Sequence, residues 1–179
     1  TANQALGIAE RLGVPFRVVP LGWSALARVP WPWPTLTGLD AAARARIAPP
    51  WPKLVISAGR RSAPAALWLG RRGVRTVHAM RPGFGAARFD LLVLGLHDRP
   101  RPAPNVTEIV GACHRVSAAV LDRARGEWAE LAALPAPRVA VLVGGPVRAE
   151  GLDLETAQRL IPRVLRRYPE ASLMVTTSR

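Results

Sequence analysis

The chain is poor in the residue types that most often declare chemistry. In 179 residues there is one cysteine, one tyrosine, two methionines and three histidines. Cys113 has no second cysteine for an intramolecular disulfide, and no Cys or His cluster has the spacing of a zinc site. A reducing compartment is expected. The longest apolar runs, at 91–96 and 139–143, reach about five or six residues, far short of the roughly 20 that span a bilayer. No transmembrane helix is expected, and the chain is read as cytoplasmic, with peripheral contact to the inner membrane as a secondary expectation. There is no Walker loop, no G-x-G-x-x-G fingerprint and no G-x-S-x-G nucleophile elbow. The only tyrosine, Tyr168, is followed at the fourth position by Ser172, so a Tyr-x-x-x-Lys dyad is absent. These absences weigh against dinucleotide-dependent epimerisation, and no cofactor is expected.

Acidic residues are also scarce: 12 Asp and Glu face 25 Lys and Arg, giving a formal charge of +13. Lys53 is the only lysine, which leaves 24 arginines carrying nearly all of the positive charge. Codon usage in a GC-rich genome explains an excess of Ala, Arg, Gly and Pro scattered over every segment. An anionic partner is the functional reading beside it: nucleic acid, anionic lipid head groups and phosphorylated small molecules all answer to such a field. Six Trp beside one Tyr and three Phe do not form an interleaved aromatic and basic platform, and no nucleic-acid-binding signature is present. Nucleic acid is therefore the weakest of the three.

With 49% hydrophobic residues the chain can bury a core. Leu6, Ala9 and Leu12 share one face of a helix over 3–13, which Gly13 can end in the left-handed conformation. Residues 16–21 read as a strand directly after it. Thr1 opens the chain without methionine or a signal segment, so a fragment is expected, with a first strand upstream. Prolines interrupt 22–52, where Trp31-Pro32-Trp33-Pro34 and Pro49-Pro50-Trp51-Pro52 bracket a helix near 40–47. That segment either folds over an apolar edge or presents Trp and Arg side chains to a membrane interface. Beyond it, strands at 53–58, 75–80, 91–96 and 108–111 and a helix at 62–71 alternate. Their apolar runs lack period two, the mark of a parallel sheet covered on both faces. A longer amphipathic helix is expected over 117–134, carrying Val120, Leu121, Ala124, Trp128 and Leu131 near one stripe. After Leu134-Pro135-Ala136-Pro137 a second unit is expected: strand 138–143, a helix over 153–168 capped by Asp153 and kinked at Pro162, and strand 172–177.

In parallel sheets ligands bind beyond the carboxyl ends of the strands. Gly59, Arg60, Arg61 and Ser62 stand at such an end, where a glycine turn, a Ser cap, Pro64 in the first helical turn and two guanidiniums can cradle an anion. A solvated Arg pair beside an ordinary cap is the other reading. Gly144 and Gly145 end the strand at 138–143 and let a backbone approach a phosphate or sugar, or make a simple packing turn. Thr176, Thr177, Ser178 and Arg179 gather hydroxyls and a guanidinium after the last strand. His97 beside Asp98, with Asn105 nearby, is the one general-base candidate, balanced against a loop-stabilising role. His78 and His114 carry weaker signals, and Cys113 reads as a small core residue.

Asn3-Gln4-Ala5-Leu6-Gly7, Ser57-Ala58-Gly59-Arg60-Arg61 with Ala63-Pro64, Phe89-Asp90-Leu91-Leu92-Val93 leading to His97-Asp98, Pro104-Asn105-Val106, Gly111 with His114-Arg115-Val116, Gly144-Gly145-Pro146 and Thr176-Thr177-Ser178-Arg179 together resemble, in order, the mitochondrial fission family named for elongated mitochondria in plants and its bacterial relatives. Met80-Arg81-Pro82 stands where that pattern has a more polar turn ending in Asp-Pro, and Cys113 where a small aliphatic residue is usual. The resemblance implies an α/β protein of GT-B type. Residues 1–134 would be an N-terminal Rossmann-like domain lacking its first strand, and 138–179 the start of a second, nucleotide-binding-like domain. It further implies a nucleotide-sugar or related phosphorylated ligand in a cleft between such domains, glycosyltransferase activity, and anion-binding roles for Asn3, Gln4 and the residues named above. For the plant member it implies recruitment of a membrane-remodelling GTPase, and hence the alternative of a non-catalytic adaptor at an anionic membrane surface.

Overall fold

Helix α1 (Ala2–Arg11) turns its small residues inward, with Gly7 and Ala9 buried. Gly13 follows with φ +65°, the left-handed stop its position calls for. The computed structural model describes residues 1–29, 31–144 and 154–177. They divide into two compact units, Thr1–Val116 and Ser117–Arg179, with the division ahead of the helices that precede the Pro135 and Pro137 pair.

The first unit is built on a parallel sheet in the order β1-β2-β3-β4, formed by β1 (Leu54–Ala58), β2 (Arg75–Ala79), β3 (Leu91–Gly95) and β4 (Val106–Ile109). The crossover from β1 to β2 is α3 (Ala63–Gly70), which is apolar nearly all round and buried on six of its eight residues. One side of α3 joins Phe89, Leu92 and Leu94 through Ala63, Ala66 and Leu67. The other side, through Ala65, meets Leu39 and Ala43, the latter in α2 (Ala41–Arg46). Asp40 caps α2, its carboxylate accepting from the Ala43 amide at 2.7 Å. Within 22–52 the chain folds onto α3: the Thr35 amide donates to the Pro64 carbonyl at 3.2 Å, and Trp51 meets Trp68 edge-on. Trp23 and Trp33 nevertheless stay well exposed.

Two polar locks hold the sheet. The Asp90 carboxylate, just before β3, accepts from the Thr76 amide at 2.8 Å, the Thr76 hydroxyl at 2.9 Å and Arg75 at 3.0 Å, while the Asp90 amide donates back to the Thr76 hydroxyl. The Thr76 backbone bond is the main reason this carboxyl titrates below its usual range. In the core, Ser57 Oγ lies 2.7 Å from His78 Nδ1 across the β1–β2 pairing, and the His78 ring stacks on Phe89. His78 is fully buried and its Nε2 has no hydrogen-bond partner among the described residues. Burial lowers its pKa from the ordinary 6.5 to about 4.

Three expectations are corrected. Residues 16–21 are not a strand: among the described residues no strand pairs with them to complete a ladder, and Pro15 and Pro20 remove two amide donors. Phe16 and Val18 are exposed there. The fourth strand starts at Val106 and ends at Ile109, its apolar register set by Leu92 opposite Val106. The helix over 117–134 is two helices, α4 (Ala118–Glu127) and α5 (Ala129–Ala133), broken at Trp128 with φ −119° and ψ 39°. Gly126 in the last turn of α4 weakens helix continuation by roughly 1 kcal/mol relative to alanine.

The second unit pairs β5 (Arg138–Val143) in parallel with β6 (Ser172–Thr177), joined by α6 (Leu154–Arg167). Helix α6 runs without interruption through Pro162. Asp153, expected as its cap, lies outside the described residues.

Candidate functional site

The four parallel strands of the first unit deliver their carboxyl ends to one edge, where ligand sites of open α/β sheets form. At that edge β1 runs into the turn 59–62, β2 into Met80, β3 into the 3-10 turn Leu96–Asp98, and β4 into Gly111. Gln4, Met80, Gly95, His97, Asp98 and Gly111 line a cavity of about 90 Å³ there. Helix α1 thus brings the start of the chain to the same place as His97 and Asp98, which its sequence separation from them does not announce.

Glycines let these parts come together. A Cβ on Gly95 would lie 2.3 Å from His97 Cε1 and 2.5 Å from the Gly111 carbonyl oxygen. A Cβ on Gly59, whose φ is +83°, would lie 2.5 Å from Thr1 Cγ2, so the turn after β1 accepts the beginning of α1 only as glycine. Met80 itself takes φ +74°, an uncommon backbone conformation for a non-glycine residue, on the wall of the cavity.

Arginine organises the loop that carries His97. Arg81 donates to the Asp98 carbonyl and to the Arg99 carbonyl, and its Nε stands 4.0 Å from the Asp98 carboxylate. Asp98 therefore faces Arg81, and among the described residues it makes no hydrogen bond to His97. Histidine and aspartate share the cavity without forming a relay.

The remaining expected residues distribute as follows. Asn3 is exposed in the first turn of α1. Arg60 and Arg61 are exposed on the carboxyl edge, outside the lining of the cavity, with the Arg60 stem passing over Gly83. Ser62 stands at the start of α3 without capping it; its hydroxyl is shared between the Ala58 and Gly59 carbonyls at 2.8 and 3.0 Å. Asn105 precedes β4, on the opposite edge of the sheet, and its amide donates to the Ala86 and Phe89 carbonyls at 2.9 Å each. In the second unit Gly144 follows β5, and Thr176 and Thr177 pair with Leu142 and Val143 at the end of β6. Gly145, Ser178 and Arg179 lie outside the described residues.

Other titratable groups add little to the cavity. Burial pushes the Cys113 thiol up, which disfavours the reactive thiolate. Among the described residues no group of three or more His, Cys, Asp or Glu could hold a metal ion, and no helix is long and apolar enough to cross a membrane.

A family model described as Mitochondrial fission ELM1 matches residues 1–179. The chain belongs to that family. No curated protein and no solved structure gives a match. Family membership accounts for the order of motifs along the chain, and leaves the chemistry of this Mitochondrial fission ELM1 family member to be argued from its own site.

Proposed function

We propose that the protein binds a hydroxylated, phosphorylated small molecule at the carboxyl edge of its four-stranded sheet, with a nucleotide-sugar and its sugar acceptor as the ligand class and glycosyl transfer on a GT-B-like fold as the reaction. The observation that carries this reading is the convergence of Gln4, His97 and Asp98 on one cavity at that edge. An amide, an imidazole and a carboxylate suit the donor and acceptor pattern of sugar hydroxyls. At about 90 Å³ the cavity holds one end of a ligand, since whole-ligand pockets run to roughly 300 Å³ or more.

In such a transfer His97 takes the proton of the acceptor hydroxyl as the new bond to the anomeric carbon forms and the bond to the leaving diphosphate breaks. Arg60 and Arg61, exposed beside the cavity, supply positive charge for anionic acceptor groups. Gly144, Gly145, Thr176, Thr177 and Ser178 are the proposed donor-phosphate contacts of the second unit.

A second reading is a non-catalytic adaptor at an anionic membrane surface, favoured by the exposed Trp23 and Trp33 and the nearby Arg28. A thermal-shift screen of the full-length protein against nucleoside diphosphates and their sugars separates the two. A ligand at 100 times its Kd stabilises the native state by about 2.7 kcal/mol, which such a screen detects. A shift selective for one base, reduced by His97→Ala or Arg60→Gln with Arg61→Gln, supports the transferase reading. No shift with any nucleotide, together with sedimentation on anionic vesicles that Trp33→Ala reduces, overturns it in favour of the adaptor.

A further inference from the structure

The opposite edge of the first unit's sheet carries a second, larger pocket. Its volume is about 360 Å³, within the range of small-molecule sites. It is lined by Pro34, Leu67, Gly70, Arg71, Arg88 and Asp90. Gly70 and Arg71 end α3, Arg88 closes the 3-10 turn Ala86–Arg88, and Asp90 directly precedes β3, so the pocket sits at the amino ends of the strands. Pro34 and Leu67, both buried, are the apolar part of its lining.

Charge in the pocket is unbalanced. The one carboxylate in the lining, Asp90, accepts from Thr76 and Arg75, and it stands against two guanidiniums, Arg71 and Arg88. Neither the Arg71 nor the Arg88 guanidinium has a hydrogen-bond or ion-pair partner among the described residues. Their neighbour Arg72 is otherwise engaged, donating to the Trp68 carbonyl at 3.0 Å and lying over the Trp68 ring. Two guanidiniums without protein partners thus share one pocket lining with Pro34 and Leu67, a combination that suits an oxyanion attached to an apolar body.

We infer that this amino-edge pocket binds a small amphipathic oxyanion, with its apolar body on Pro34 and Leu67 and its phosphoryl or carboxyl group on Arg71 and Arg88. The inference is independent of the carboxyl-edge site, which shares no lining residue with it. A soluble phosphomonoester and a phosphatidic acid head group present the same chemistry, and the test separates these sources.

The experiment uses the full-length protein, its Arg71→Gln/Arg88→Gln double variant and a His97→Ala variant. Both arginines are exposed, so the double variant should unfold at the parent's temperature, a check made first. Calorimetric titration with phenyl phosphate should give saturable binding that the double variant weakens roughly tenfold or more and that His97→Ala leaves unchanged. Inorganic phosphate, lacking the apolar body, should bind more weakly than phenyl phosphate. In parallel, sedimentation with phosphatidylcholine vesicles containing phosphatidic acid is compared between parent and double variant. Loss of phenyl phosphate binding in the double variant with vesicle binding kept identifies a soluble ligand, and loss of both identifies the lipid head group. If the double variant keeps the parent's phenyl phosphate affinity, or if inorganic phosphate binds as tightly as phenyl phosphate, the inference fails, whatever becomes of the carboxyl-edge reading.

Discussion

The His97 ring rests against Gly95, so closely that a Cβ on Gly95 would lie 2.3 Å from His97 Cε1. The glycine at the end of β3 therefore sets where the imidazole stands. Gly95→Ala keeps an ordinary backbone, since φ at Gly95 is −73°, and acts through collision alone. The ring can rotate away, but the Gly111 carbonyl at 2.5 Å is backbone and must be pushed. We expect a destabilisation of about 1–3 kcal/mol, typical of overpacking, together with weakened ligand binding at the carboxyl edge. Denaturant unfolding and a ligand titration on the same variant check both halves.

Gly7 offers a reversal of sign. Replacing a glycine inside a helix by alanine ordinarily stabilises it by roughly 0.5–1 kcal/mol. In α1, however, a Cβ at Gly7 would lie 2.4 Å from the His114 carbonyl oxygen. Gly7→Ala should therefore lower the unfolding midpoint in denaturant, and an increase would show that α1 does not press on residue 114. The ion pair of Glu10 with Arg115 at 2.7 Å and the Arg11 bond to the Val116 carbonyl mark the same contact.

His78 makes stability depend on pH. Burial holds the imidazole neutral in the fold, with a pKa of about 4 against an ordinary 6.5, so protons bind the unfolded chain more readily. The His78 contribution is thus intact above pH 6.5, declines as pH falls from 6.5 towards 4, and stays lost below. The span corresponds to roughly 3 kcal/mol at about 1.36 kcal/mol per unit. His78→Asn should be less stable at pH 7, yet show a flatter decline between pH 6.5 and 4. Parallel pH profiles for parent and variant would contradict the assignment.

The strands at 54–58, 75–79, 91–95, 138–143 and 172–177 were legible because each is a short segment centred on apolar or β-branched residues and set between turn or helix signals. The run at 16–21 has the same pattern and fails as a strand, since a ladder requires a neighbour that pattern alone does not supply. Trp128 fits the apolar stripe of one long helix, and the break there follows from backbone geometry that periodicity does not register. At the candidate site, Gln4, His97 and Asp98 were each legible as strand-end or helix-start residues, and the structure adds that they share a cavity. The Ser57–His78 pair was not legible, because only strand pairing sets a residue of β1 beside one of β2. Nor was the amino-edge pocket, assembled from residues near 34, 67–71 and 88–90 with no motif of its own. The glycine after β1 signalled the tight turn correctly, while Ser62 bonds backwards to its own turn, a choice between two local hydrogen bonds that sequence leaves open.

The central claim is that the carboxyl edge of the four-stranded sheet is the ligand site, and backbone amide shifts in the full-length, isotope-labelled protein test it most directly. On saturation with UDP-, GDP- or CDP-sugars, the account predicts that one of them moves the amides of Gly95, His97 and Gly111, with Gly59 following through its contact with the start of α1. Saturable shifts confined to other parts of the chain, or no shift with any of them, would contradict it.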